Sequence, residues 1–93
     1  MEIEYDPAKR EQVLTERGLD MARCGETFGG FHLTRRDDKH SDEEDRFISV
    51  GTLDDEVVIV IWTPREIQRR IVTMWKANDR EKQKFAEARK RLE

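Results

Sequence analysis

Ten consecutive residues, Asp37-Asp38-Lys39-His40-Ser41-Asp42-Glu43-Glu44-Asp45-Arg46, put carboxylates, an imidazole and a guanidinium within reach of one another. An imidazole has an ordinary pKa of about 6.5, suited to proton transfer near neutral pH, which makes His40 the candidate general acid or base. Arg46 closes the segment, and a guanidinium can grip a phosphate through two parallel hydrogen bonds. Glu44 stands two positions earlier, on the same side of an extended chain, and is expected to orient Arg46 through an ion pair; taking a proton is its other option. A calcium loop does not fit, because the glycine and ligand spacing of an EF-hand are missing.

The stretch from Arg36 to Asp45 contains no apolar residue, so it is expected to be an exposed loop. What must position it is the run that follows. Val57 to Trp62 is six consecutive apolar residues, mostly β-branched, in a chain where 42% of residues are charged. Such a run predicts a strand covered on both faces, central in a sheet. Arg46 to Gly51 supplies the strand before it, joined through a turn over Gly51 to Asp55. After a break at Pro64 to Glu66, Ile67 to Trp75 supplies the strand behind it. Arg46 and Arg70 then head the two strands that flank the central one.

Met1 to Tyr5 alternates as a short strand, and Asp6-Pro7 caps a helix predicted to end at Gly18. A second helix is expected from an N-cap at Asp20 to Gly29-Gly30, and a strand over Phe31 to Arg35. Asn78 and Glu81 form a capping box for a last helix that carries Phe85, Ala88 and Leu92 on one stripe. The order implies one compact α+β domain over residues 1–93, with an antiparallel sheet of four to five strands, two N-terminal helices and one C-terminal helix.

Ninety-three residues, 35% of them hydrophobic, allow only a thin core. Cys24 is the single cysteine, so no internal disulfide framework is possible. Cys24, His32 and His40 lack paired spacing, and no metal or other cofactor is expected. With no signal peptide or long apolar span, the expected place is the cytoplasm, with no membrane partner. Net charge is -3, yet residues 1–64 hold 8 basic and 16 acidic side chains while residues 65–93 hold 10 and 5. That asymmetry suits a basic surface for phosphates or an acidic partner; a solvated terminal helix is the plainer explanation.

Taken together, Tyr5-Asp6-Pro7-x-Lys9, Gly18 before a second helix, His40-x-x-x-Glu44-x-Arg46, Val58 to Thr63 with Arg65, Arg70-Ile71-Val72-Thr73, Lys76-Ala77 and Arg80-Glu81 resemble the BrnT-like toxins of bacterial type II toxin-antitoxin systems, in the RelE-like ribonuclease group. The resemblance covers nearly the whole chain. It implies an endoribonuclease held inactive by a ribbon-helix-helix antitoxin, touching operator DNA only through that complex. Metal-free RNA cleavage uses the 2′-hydroxyl as nucleophile, so His40 would move the proton while Arg46, Arg70 and Lys9 steady the phosphate, with Glu44 beside them. Lys76, Arg65, Arg80 and Trp75 are expected to bind RNA, Trp75 by stacking on a base. The chain departs from the family pattern at Trp75, Arg17, Val13 and Phe85, where arginine, histidine, asparagine and tyrosine are usual. A catalytically eroded module that only binds its antitoxin is therefore the alternative.

Overall fold

The computed structural model describes residues 2–92; Met1 and Glu93, expected at the ends of the first strand and last helix, lie outside the described residues. Five strands form one sheet in the order β1-β5-β4-β3-β2. They are β1 (Glu2–Tyr5), β2 (Leu33–Arg36), β3 (Phe47–Leu53), β4 (Glu56–Arg65) and β5 (Gln68–Lys76). The helices are α1 (Pro7–Arg17), α2 (Cys24–Gly29) and α3 (Asp79–Leu92), with 3-10 turns at Met21–Arg23 and Asp38–His40. The expected α+β fold forms, and its sheet is antiparallel except at one edge, where β1 runs parallel to β5.

Local chemistry explains the helix ends. Asp6 accepts a hydrogen bond from the Ala8 amide at 3.0 Å, Pro7 follows it, and Gly18 closes α1 with φ 68°. Asp20 caps the next segment through the Ala22 amide at 2.9 Å, but the first turn there is 3-10 and the true helix starts only at Cys24. The capping box at Asn78 and Glu81 closes in both directions, at 2.8 and 2.9 Å.

The β3–β4 turn is tighter than the sequence suggests, since Asp54 and Asp55 alone make it, at φ 52° and 65°. The expected break at Pro64 to Glu66 is absent. Instead β4 runs through Pro64 to Arg65, and the chain turns at Glu66 and Ile67, with Glu66 at φ 53° and Ile67 76% exposed. Pro64 is tolerated because β3 ends its pairing at Phe47 opposite Trp62, so the missing amide hydrogen faces no β3 partner.

The central run divides its side chains between two faces, as period two requires. Val58, Val60 and Trp62 pack on the first face with Val13, Leu19, Met21, Cys24, Ile71 and Met74, under α1 and α2. Ile59 and Ile61 lie on the second face with Ile48, Val50, Val72 and Trp75. Phe85 is the buried residue of α3, 4% exposed, and its ring sits 5.6 Å from that of Phe31. The Trp62 indole donates to Ser49 Oγ at 2.8 Å, which satisfies a polar pair inside the first face. Burial pushes the Cys24 thiol up to about 12, so it serves as a small apolar side chain here.

Candidate active site

The acidic loop is more ordered than its composition predicts. Its ends are pinned by the Asp37 amide, which donates to the Arg46 carbonyl at 2.8 Å. Ser41 fills the middle: its hydroxyl donates to the Asp37 carbonyl at 2.6 Å and accepts from the Arg46 amide at 3.0 Å. Thr63 on β4 then ties the loop to the sheet by donating to the Asp45 carbonyl at 2.6 Å. These bonds replace the apolar anchors the loop lacks.

Within it, the 3-10 turn over Asp38–His40 swings the imidazole back onto Asp37. His40 Nδ1 lies 2.9 Å from Asp37 Oδ2. Asp37 is 8% exposed, against an exposed loop in the sequence reading, whereas the His40 side chain is 61% exposed. A buried carboxylate therefore holds one ring nitrogen, while most of the His40 side chain stays exposed to solvent.

His40 and Arg46 line one cleft of about 250 Å³, together with Asp42, Glu43 and Glu44. Elsewhere in the Arg46 side chain, the Nε is buried without a hydrogen-bond partner. Glu44 does not orient Arg46 as expected. It pairs with Arg65 at the end of β4, and this partner raises the Arg65 pKa. Two-residue periodicity puts Arg65 on the second face with Thr63, and Arg70 joins them through its register with Thr63. Arg70 has only a long contact, 3.4 Å, with Glu4 of β1. Arg65 and Arg70 thus share one end and one face of the sheet; Arg65 reaches the rim of the His40 cleft through Glu44, and neither arginine lines that cleft.

The remaining named residues stand elsewhere. Lys9 belongs to α1, whose Val13 packs on the first face. Lys76 is six residues from Arg70, about 20 Å along β5, pairs with Val58 of the first face, and meets Glu56 at 3.4 Å. Arg80 lies in the first turn of α3. Trp75 and Phe85 line a separate cleft of about 430 Å³ between α3 and the second face. Arg17 caps the sheet edge beyond β1, donating to Thr73 Oγ1 and the Met74 carbonyl, each at 2.8 Å. Val13 is core.

Asp37, Ser41 and Thr63 were not singled out from the sequence. The spacing Asp37-x-x-His40 is one 3-10 turn and was the available signal. No group of three or more histidine, cysteine or acidic side chains among the described residues could hold a metal ion. No described helix is long and apolar enough to cross a membrane.

No curated protein matches the chain. A family model, described as ribonuclease toxin, BrnT, of type II toxin-antitoxin system, matches residues 5–81.

Proposed function

The chain belongs to the BrnT family of type II toxin-antitoxin ribonuclease toxins, and on that premise we propose that it cuts RNA without a metal ion, through the cleft that joins His40 to Arg46. The observation that carries this reading is the cleft itself, which brings Arg46 beside an imidazole held by a buried carboxylate. A guanidinium beside that imidazole can grip a phosphate through two parallel hydrogen bonds.

In this mechanism Nε2 of His40 takes the proton of the ribose 2′-hydroxyl as its oxygen attacks the adjacent phosphorus. The bond from phosphorus to the 5′-oxygen breaks, and that oxygen takes a proton from water. A 2′,3′-cyclic phosphate and a 5′-hydroxyl result. Arg46, Arg65 and Arg70 offset the charge that builds on the phosphate oxygens. Asp42 and Glu43 would repel that charge, so the phosphorus belongs on the sheet side of His40. Lys9, Lys76, Arg80 and Trp75 take no part in this step.

A ribbon-helix-helix antitoxin is the proposed protein partner, with operator DNA contacted only through the complex. The eroded-module alternative draws on Trp75 and Phe85. Trp75 lies opposite Ile59, four residues or about 13 Å along β4 from Thr63, so its substitution removes nothing from the His40 cleft. The test is cleavage of a single-stranded RNA in EDTA. Wild type should cut, and His40→Ala or Arg46→Ala should each lower the rate by about 100-fold or more. Unchanged rates in both variants would remove the cleft from the reaction.

A further inference from the structure

The first face of the sheet carries a second orphaned arginine that the ribonuclease reading leaves unused. Arg69 lies with its guanidinium carbon 4.1 Å from the Phe28 ring centre and 5.0 Å from that of Trp62. Its Nε is buried and has no hydrogen-bond partner. Among the described residues, Arg10, Arg23, Arg36, Arg65 and Arg70 each meet a carboxylate, whereas Arg69 meets none. Its neighbours across the sheet are Ile3 and Pro64, which offer no side-chain acceptor. Burial lowers its pKa, the mark of a cation that has lost water without gaining an anion. Stacking on two rings offsets part of that loss and leaves the planar fork of N–H groups unmatched.

A matching ligand has two coplanar oxygens with negative charge. A base-stacking platform is not available here, because these rings are engaged: Phe28 and Trp62 by Arg69, and Phe47 by Trp62 at 5.0 Å. Arginine and aromatic residues beside half-buried Ile3 and Tyr5 are instead the composition of a protein interface centre. We propose that Arg69 is the anchor for a carboxylate side chain of the antitoxin, seated over Phe28 and Trp62 on the face of the sheet opposite the His40 cleft. This rests on the family reading that an antitoxin exists, and is independent of whether His40 catalyses. The antitoxin would then hold the toxin from behind without filling the catalytic cleft through this contact.

The test uses the product of the reading frame adjoining this gene, co-expressed and titrated against the free toxin. Arg69→Met keeps the apolar stem on Phe28 and Trp62 and removes the fork. It should weaken the complex by about 30-fold or more while the free variant melts no lower than wild type and cuts RNA in EDTA at the wild-type rate. Arg69→Lys, which keeps the charge, should still bind about tenfold more weakly than wild type, and carries the test should Arg69→Met fold poorly. Affinity within about threefold of wild type in a folded Arg69 variant would overturn the proposal. So would loss of RNA cleavage with the complex intact, which would reassign Arg69 to RNA, and so would the absence of any wild-type complex. If wild type fails to cut RNA yet its complex depends on Arg69, the catalytic reading falls and this one stands.

Discussion

At the scale of single residues, the division between buried and exposed partners sets what each group can do. Asp37 is shielded and fixes one nitrogen of His40, while most of the His40 side chain is exposed. His40 was legible from its side-chain type alone. Its partner was not, because five other acidic residues crowd the same loop and nothing in their order says which is buried. Glu44 shows the same limit: spacing pairs it with Arg46, yet the end of β4 brings Arg65 to it. Under the proposed ribonuclease mechanism, Glu44 therefore competes with RNA for Arg65. Glu44→Gln should lower the KM for RNA by up to about fivefold with kcat retained, as steady-state kinetics would show. A collapse of kcat would instead make Glu44 a proton carrier.

At the scale of elements, the signals that held were local ones. Asp6-Pro7, Gly18, the capping box and the apolar run of β4 each act within a few residues, so the sequence states them directly. What it did not state depends on residues far apart in the chain. The parallel pairing of β1 with β5 joins Glu2–Tyr5 to Gln68–Ile71, and the strand through Pro64 is permitted only because β3 stops short of it. Gly51 is a case of the same kind. A Cβ at this position would lie 2.7 Å from Thr27 Cγ2 and 3.1 Å from His32 Cβ, because α2 and the segment after it cross close over β3. Gly51→Ala should cost about 1–3 kcal/mol in urea unfolding, and a neutral result would mean the crossing is looser than described.

At the scale of the whole molecule, the sequence showed an acidic first part and a basic last part but not where the charges meet. Arg65 and Arg70 lie at one end of the second face, paired with Glu44 and Glu4, while Arg69 turns to the other face and the lysines of α3 belong to a separate helix. The N-terminal layer is fastened by the Arg10 fork on Asp20, at 2.7 and 2.9 Å, which holds the Asp20 carboxyl down at about 2. A depressed carboxyl stabilises the fold above its unfolded pKa, near 3.8, and loses that contribution as pH falls toward 2. Asp20→Asn keeps the cap on Ala22 and removes the ion pair. Its stability deficit, measured by urea unfolding, should be full at about pH 5 and shrink as pH drops below about 4. A deficit that stayed constant across that range would mean that the Asp20 charge is not its cause.

The most direct test of the catalytic account is the chemistry of the cut ends. RNA incubated with the protein in EDTA should yield fragments ending in a 2′,3′-cyclic phosphate and beginning with a 5′-hydroxyl, and an RNA carrying a 2′-deoxy nucleotide at the cleaved position should stay whole. Fragments ending in a 3′-hydroxyl, or cutting of the 2′-deoxy substrate, would contradict attack by the 2′-oxygen and with it the role given to His40.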